Sequence, residues 1–350
     1  MHTVLTSAEV LIIKILQALP FWSQWNLLTK LEIVRWMCKR NIDRVILVFD
    51  NKTANPVYAG VMVTIMLARA FAVLGYKVDF LLIQGEYSIK WPQYLRSETR
   101  IKAFEIEQIG LLEQFLSRHD VQTKVMTWHE FLEYKKTFSR KDYVAFALPV
   151  MNRMHKMAIH QFAHNFFKFL TRNLSTQQVD RILLSTEDFS DTHSVPRELS
   201  NYVAYNVRVN KDWGSGRDVS VDTFLAAISY LKLHFPDRQI LIVSTIEGIE
   251  FCKEIAHEQR LELFYSKDYN SSFIGDCFLV LAASQYFSYL AGGMSSVAML
   301  SKIPYIVYAR HSTAKSHQKN GRMFAFSAHN QTVLDPEEFE KQMASGFAKA

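Results

Sequence analysis

The chain has 350 residues, of which 49% are hydrophobic and 21% charged, and it carries a formal net charge of +6. This composition excludes a disordered or low-complexity protein, and the length predicts two domains of ordinary size, each with its own core. The three cysteines are too few and too scattered for a disulfide framework or a zinc ribbon, which indicates a reducing compartment. The positive charge suits anionic partners, but lysine and arginine form no dense run interleaved with aromatics, so no nucleic-acid partner is expected.

The first forty residues, the leader 1–40, mix aromatic and basic side chains within an apolar stretch. Polar residues and Pro20 interrupt the run 5–22 before it reaches the roughly 20 residues that span a bilayer, so no transmembrane helix is expected. One alternative is a pair of amphipathic helices packed on the domain, with Pro20 between them. The other is a peripheral helix on a membrane surface.

From Arg44 the pattern changes to short, β-rich apolar runs separated by longer helical segments, which predicts a parallel sheet covered by helices. The strands predicted for the first half are 44–49, 77–83, 123–128 and 142–148, and the helices are 61–75, 97–120 and 150–174. The polar, proline-containing stretch 185–201 then predicts a domain boundary.

The alternation of strands and helices restarts after this boundary. The strands predicted for the second half are 202–209, 239–245, 261–266, 286–291 and 305–309, and the helices are 220–235, 248–260, 272–284 and a short helix from Ser295 or Ser296. The sequence therefore predicts an α/β protein of two Rossmann-like βαβ domains facing a cleft. Their limits are residues 1–190, including the helical leader, and residues 200–330, followed by a terminal helix at 331–350.

A turn rich in glycine and serine follows the predicted strand 286–291, with the sequence Gly292-Gly293-Met294-Ser295-Ser296. Glycine permits a positive φ and a close approach of a ligand to the main chain, and serine is a good helix N-cap. The N–H groups of a first helical turn then suit a phosphate or a diphosphate. The alternative is a capped tight turn that binds nothing.

Two cations stand where the first strand of the second half ends. Arg208 and Lys211 precede the segment Gly214-Ser215-Gly216 and are candidates to neutralise a diphosphate. The segment lacks the third glycine of a dinucleotide fingerprint, and a solvated loop is the alternative. The donor diphosphate site is therefore predicted from Arg208, Lys211, Gly293, Ser295 and Ser296.

Metal signals are poor. The chain has no Asp-x-Asp pair, and His160 and His164, four residues apart on a predicted helix, lack the glutamate of a zinc-protease motif. No metal and no tightly bound cofactor are expected. A GxSxG elbow and a P-loop are also absent from the sequence, which gives hydrolases and kinases little support.

Two Rossmann-like halves, a linker and a late glycine-serine turn resemble the GT-B glycosyltransferases. In that family the carboxy-terminal half binds a nucleotide-sugar donor, the amino-terminal half binds the acceptor, and no Asp-x-Asp motif is required. Within it, Asn206-Val207-Arg208 is similar to the His-x-Arg strand end of the fucosyltransferase group, although asparagine replaces the histidine. Gly293-Met294-Ser295-Ser296 looks like the phosphate turn of that group. Retaining members usually carry a Glu-x7-Glu motif before the late helix, and no glutamate stands between Glu262 and this turn, which favours inversion.

The resemblance implies metal-independent transfer of a sugar from a nucleoside diphosphate donor, as co-substrate, to a glycan or lipid-linked acceptor. Such chemistry belongs to surface polysaccharide or glycoconjugate assembly, in the cytoplasm or at the inner face of the membrane. An inverting transferase needs a base on an amino-terminal strand end, and the candidates are Asp50, Glu86 and His129, with Glu130 beside the last.

Further contacts are predicted from strand ends and helix starts. Asn55 and Gly60, after Asp50, are candidates for acceptor binding. The residues predicted to bind the nucleotide are Thr245, Glu247, Lys267 and Asp276. A sugar-nucleotide epimerase of the same architecture and a non-catalytic nucleotide-binding or membrane-associated protein are the alternative functions.

Overall fold

The computed structural model describes residues 41–51, 58–85, 98–145, 174–189, 193–209, 218–289, 293–308 and 331–334. The chain divides into two units, Met1–Trp91 with Leu116–Ile182 and Pro92–Phe115 with Leu183–Ala350, so it passes between them at three points. The predicted limits 1–190 and 200–330 stay predictions. Among the described residues, no helix combines the length and the apolar character that crossing a membrane requires.

The strands and helices alternate in both units. In chain order the described elements are β1 Arg44–Asp50, α1 Tyr58–Val73, β2 Lys77–Gln84, α2 Glu98–Leu116, β3 Val121–Thr127, α3 Trp128–Tyr134, β4 Asp142–Ala145, α4 Thr176–Ile182, β5 Tyr202–Asn206, α5 Val221–His234, β6 Gln239–Val243, α6 Ile246–Glu258, β7 Phe264–Tyr265, α7 Phe273–Leu281, β8 Gln285–Tyr289, α8 Gly293–Met299, β9 Tyr305–Tyr308 and β10 Gln331–Leu334. Each unit contains one sheet, and α2, which connects β2 to β3 of the first sheet, belongs almost wholly to the second unit.

The first sheet is parallel in every pair, with the strand order β3-β2-β1-β4. β1 and β2 are near-continuous apolar runs and are buried along almost their whole length. That pattern is typical of a parallel sheet, in which helices cover both faces of a central strand. The edge strand β3, by contrast, consists of exposed and half-buried residues.

The second sheet is also parallel, with the strand order β10-β9-β8-β5-β6-β7. The chain builds β5, β6 and β7 outward in one direction and then returns to β8 on the other side of β5. This is the order of a doubly wound, Rossmann-like sheet, and its topological switch point lies between β5 and β8. The predicted α/β class with two Rossmann-like sheets is confirmed.

Several predicted boundaries in the second half differ from those in the structure. Strand 202–209 ends its pairing at Asn206, and strand 261–266 pairs only over Phe264–Tyr265. Residues 331–334, predicted to open a terminal helix, form the parallel edge strand β10, in keeping with the β-branched Thr332 and Val333. The short helix predicted from Ser295 or Ser296 begins instead at Gly293.

A charged network fixes the amino end of the first sheet. The Arg44 guanidinium of β1 donates to Asp79 of β2 and to Asp142 of β4, and the Tyr134 hydroxyl of α3 donates to Asp79 at 2.9 Å. Both carboxylates are buried. Burial acts to raise the pKa of Asp142, but hydrogen bonds from Arg44 and from the Ser139 N–H outweigh burial and lower it. One cation thus holds three strands in register.

Removing this cation should destabilise the first unit. Arg44→Met leaves two buried carboxylates without their partner, and we expect it to lower the free energy of unfolding by about 2–4 kcal/mol in urea titrations. Lys136→Met, which removes a cation from an exposed pair with Glu133, is the control and should cost less than about 0.5 kcal/mol. Because the pKa of Asp142 is lowered, its stabilising contribution is present near neutral pH and is lost as the pH falls. Equal effects of the two substitutions would contradict this role of Arg44.

Candidate functional site

The two predicted diphosphate features leave the second sheet from neighbouring strands. Asn206, the last residue of β5, pairs with Ser288 of β8. Arg208 stands two residues beyond the end of β5, and α8 begins at Gly293, shortly after the end of β8. Both features therefore lie at the carboxyl edge of the sheet, at its switch point, where doubly wound sheets bind their ligands. Lys211 lies outside the described residues.

Main-chain hydrogen bonds hold the segment around Arg208. The Val207 N–H donates to the Val243 carbonyl at 3.1 Å, and the Val219 N–H donates to the Arg208 carbonyl at 2.9 Å. The side-chain amide of Asn206 also donates to the Val243 carbonyl, at 2.9 Å. Arg208 itself is half-buried. The chain thus leaves β5 along a fixed path before it reaches this arginine.

The serines of the glycine-serine turn lie inside α8 and do not cap it, so the N-cap prediction for Ser295 and Ser296 is wrong. They are the third and fourth residues of the helix, and both are buried. The Ser295 hydroxyl is 3.0 Å from the hydroxyl of Tyr286 in β8, a buried tyrosine whose pKa is raised by burial. This long-range bond draws Ser295 toward the sheet. The first turn of α8, which begins at Gly293, can therefore offer its main-chain N–H groups to a ligand.

The segment just after β6 is exposed and consists of Thr245, Ile246 and Glu247. Thr245 is the N-cap of α6, and its hydroxyl accepts a hydrogen bond from the Gly248 N–H at 3.3 Å. Glu247 is exposed in the first turn of α6. Ile246 stands between them with 58% of its surface exposed, and the sequence analysis missed it. An apolar residue at a strand end, flanked by polar ones, was the signal that could have found it.

Lys267 and Asp276, both predicted to bind the nucleotide, are brought together by the structure. The Lys267 ammonium lies 2.6 Å from the Asp276 carboxylate, and the side chains are only 14% and 5% exposed. The side-chain amide of Asn270 donates to the other carboxylate oxygen at 3.3 Å. Burial raises the pKa of Asp276, and the charge of Lys267 opposes that rise. The two residues therefore neutralise each other at the end of β7.

A third charged group, Glu107 of α2, joins this pair and was missed by the sequence analysis. Burial and the charge of Asp276 raise the pKa of Glu107 to about 7, although Lys267 acts to lower it. α2 packs tightly here, because a Cβ on Gly110 would lie 2.5 Å from Cδ1 of Ile274 in α7. The charge of Lys267 therefore acts on both carboxyl groups, and its ion pair is with Asp276.

Asp50 ends β1 at the switch point of the first sheet. β1 lies between β2 and β4, so the strand order reverses at this residue, and Asp50 is buried. The following Asn51 donates its N–H to the Ile83 carbonyl at 3.1 Å. Gly60 is buried in the first turn of α1, where its carbonyl accepts a hydrogen bond from the Thr64 hydroxyl at 2.8 Å. Asn55 and Glu86 lie outside the described residues.

His129 stands apart from Asp50. It is exposed in the first turn of α3, which follows the edge strand β3, and two strand spacings, about 10 Å, separate β3 from β1. The neighbouring Glu130 closes a capping box, since its carboxylate accepts from the N–H and the hydroxyl of Thr127 at 2.7 and 2.9 Å. The structure therefore does not bring His129 to the switch point, and Glu130 has a structural role.

In the part of the chain that the structure describes, no three side chains of histidine, cysteine, aspartate or glutamate are grouped as a metal site would require. Cys252 and Cys277 are buried, and burial raises the pKa of Cys252 to about 12 and that of Cys277 well above its ordinary value. Neither thiol is therefore suited to act as a thiolate nucleophile.

No protein-family model and no curated protein matches the chain. Solved structures do match. A glycosyl transferase of family 9 from Veillonella parvula is 10% identical and covers 87% of this chain and 92% of its own, with a TM-score of 0.41. The ADP-heptose lipopolysaccharide heptosyltransferase II of E. coli is 12% identical over 87% and 99%, with a TM-score of 0.40. A UDP-GlcNAc 2-epimerase of Methanocaldococcus jannaschii, in complex with UDP-GlcNAc and UDP, is 11% identical over 86% and 91%, with a TM-score of 0.35.

The raised pKa of Glu107 predicts a pH-dependent stability. The folded protein holds this proton more tightly than the unfolded chain, so the contribution favours the fold at low pH and is lost as the pH rises through about 7. Glu107→Gln removes the ionisation. We expect it to leave the free energy of unfolding nearly unchanged at about pH 5 and to raise it at about pH 8.5, measured by urea denaturation.

Glu98→Gln provides the matched control, because it makes the same change at an exposed position of the same helix. It should alter stability by less than about 0.5 kcal/mol at either pH. If Glu107→Gln raises the free energy of unfolding equally at both pH values, the proposed titration of Glu107 is contradicted.

Proposed function

We propose that the chain is a glycosyltransferase of the GT-B type that transfers a sugar from a nucleoside diphosphate donor to a glycan or lipid-linked acceptor. The observation that supports this proposal is the switch point of the second sheet, where Arg208 follows β5 and the glycine-led α8 follows the neighbouring β8. Crevices of this kind bind nucleotides in doubly wound sheets. A guanidinium together with main-chain N–H groups suits a diphosphate, which spreads its charge over several oxygens.

The proposed transfer inverts the anomeric carbon in a single displacement. The acceptor oxygen bonds to the anomeric carbon while the bond from that carbon to the diphosphate oxygen breaks, and the electron pair stays on the diphosphate. Positive groups placed where this charge grows stabilise the transition state more than the ground state. Arg208, Lys211 and the main chain at Gly293, Ser295 and Ser296 are proposed for this task. The proposal is metal-independent because the two cations supply the positive charge.

The nucleoside of the donor is proposed to lie along the carboxyl ends of β6 and β7. Thr245 and Glu247 are exposed there, and Ile246 offers an apolar surface to a base. Lys267 and Asp276 are proposed to contact the nucleoside as a pair, since each satisfies the charge of the other. Polar groups around an apolar surface are typical of cofactor and nucleotide sites.

Asp50 is the proposed base, which takes the proton from the acceptor hydroxyl as the new bond forms. Its support is its position at the switch point of the first sheet. Glu86 and His129 remain the alternative bases. Asn55 and Gly60, which follow Asp50 in the chain, are proposed to contact the acceptor.

The finer assignments follow from the sequence resemblance. The donor sugar is proposed to be a hexosyl or fucosyl group, because Arg208 stands where the fucosyltransferase group has the arginine of its His-x-Arg strand end. The acceptor is proposed to belong to surface polysaccharide or glycoconjugate assembly, handled in the cytoplasm or at the inner face of the membrane. The basic and aromatic leader 1–40 is the candidate for peripheral membrane contact.

Arg208→Ala tests the diphosphate site. Loss of its charge-assisted hydrogen bonds should weaken the binding of a nucleoside diphosphate by about 1.5–3 kcal/mol, or roughly 10- to 150-fold. The measurement is calorimetry with UDP, GDP, ADP and CDP and with their sugar conjugates, with and without a chelator. Binding should persist in the chelator.

Arg238→Ala is the matched control, because it removes the same charge from the residue just before β6, at the opposite edge of the sheet. It should leave nucleotide affinity unchanged. If the unaltered protein binds none of these nucleotides, the proposed function is wrong. Equal affinity in Arg208→Ala and the unaltered protein would contradict the role of Arg208 alone.

Asp50→Asn tests the base. It should slow sugar transfer by about 10²- to 10⁴-fold, since the amide cannot accept the proton, while donor affinity stays within about twofold. Release of the nucleoside diphosphate from the bound donor, with a panel of glycan and glycolipid acceptors, measures the rate. Asp43→Asn changes an exposed carboxylate just before β1, at the other edge of the sheet, and should leave the rate unchanged. Conversion of the donor to an epimer without acceptor would favour an epimerase instead.

A further inference from the structure

We propose that Ser244 is a positioning residue for the donor site, because its hydroxyl fixes the main chain from which Arg208 departs. This inference rests on the proposed function and deepens it. Ser244 directly follows β6 and is buried, so its hydroxyl must find a partner within the protein. That partner is the Val207 carbonyl, which accepts the hydrogen bond at 2.6 Å. Val207 is the residue immediately before Arg208.

The hydroxyl supplies a bond that the sheet can no longer make at this point. β5 and β6 are paired up to Asn206 and Val243, and the Val207 N–H still donates to the Val243 carbonyl at 3.1 Å. A parallel ladder continued by one step would use the N–H of residue 245 for the Val207 carbonyl. The chain turns into α6 at its N-cap Thr245, and the side chain of Ser244 makes the bond to Val207 instead.

A second bond fixes the far side of Arg208. Its carbonyl accepts from the Val219 N–H at 2.9 Å, which joins the two residues that flank the segment 209–218. Hydrogen bonds to Ser244, after β6, and to Val219 therefore hold Val207 and Arg208 from two sides. A charged side chain that starts from a fixed main chain loses less conformational freedom when it binds its ligand.

Gly248 keeps the room that this hydroxyl needs. A Cβ at position 248 would lie 1.9 Å from Oγ of Ser244 and 2.9 Å from its Cβ. A side chain at position 248 would therefore displace the hydroxyl from the Val207 carbonyl. Ser244 and Gly248 act as one unit, with the hydroxyl making the bond and the glycine leaving the space.

The experiment is a double-mutant cycle on nucleotide affinity. Ser244→Ala should weaken the binding of the tightest nucleoside diphosphate by about three- to tenfold, the worth of one hydrogen bond. In the Arg208→Ala background the same substitution should change affinity by less than about 1.5-fold, because Ser244 acts through Arg208. Calorimetry gives the four affinities, and circular dichroism confirms that each variant is folded.

Ser284→Ala separates positioning from plain stability. The Ser284 hydroxyl donates to the Tyr202 carbonyl at 2.8 Å at the opposite end of the same strand, although that carbonyl also accepts from the Ser284 N–H at 3.0 Å. Ser284→Ala should lower the unfolding temperature, by less than Ser244→Ala does because the main-chain bond remains, and leave nucleotide affinity unchanged. The inference is overturned if Ser244→Ala causes no loss of nucleotide affinity, or if its loss persists in the Arg208→Ala background. In either case, nucleotide binding by the unaltered protein still supports the proposed function. No binding by the unaltered protein overturns both.

Discussion

The arrangement of the second sheet depends on the central position of β5, which is the first strand of that sheet in chain order. With β6 on one side and β8 on the other, the connections on the two sides of β5 leave in opposite directions. Four of its five residues are buried, and Val203 and Tyr205 share a cluster with Phe224 of α5 and Cys252 of α6. At the carboxyl end of such a strand, where the strand order reverses, doubly wound sheets form the crevice in which ligands bind. Hydrophobic burial therefore determines where a polar site can form.

A strand that ends inside a protein leaves main-chain groups that need partners. Serine hydroxyls donate at both ends of β5: that of Ser284 to the Tyr202 carbonyl, which also accepts from the Ser284 N–H, and that of Ser244 to the Val207 carbonyl. An unbonded buried carbonyl would cost about 1–3 kcal/mol, so the Ser244 hydroxyl stabilises the carboxyl end of the strand. The same requirement produces order at the site, because the bonds that satisfy the strand end also fix the segment that carries Arg208.

The sequence predicted what depends on local patterns. Apolar runs located every strand of both sheets except β10, and the strand ends that carry Asp50 and Arg208 were expected at the carboxyl edges. The start of α8 was missed because capping preferences are local, whereas Ser295 is drawn inward by the hydroxyl of Tyr286 nine residues earlier. Glu107 was missed for a related reason. Its helix follows a strand of the first unit in the chain but belongs mainly to the second unit, a tertiary relation that no local pattern carries.

The two switch points carry opposite charges, and each suits a different part of the proposed chemistry. Asp50 ends β1 of the first sheet and Arg208 follows β5 of the second. A carboxylate beside a bound diphosphate would repel the ligand, and the repulsion would raise the pKa of the carboxyl group, so that donor binding and ionisation of the carboxylate would oppose each other. On the second sheet the pair of Lys267 and Asp276 illustrates the consequence, since the buried carboxylate there is neutralised by its own lysine. The guanidinium at the switch point of the second sheet therefore suits an anionic ligand, whereas the carboxylate at the switch point of the first sheet suits the proposed acceptance of a proton.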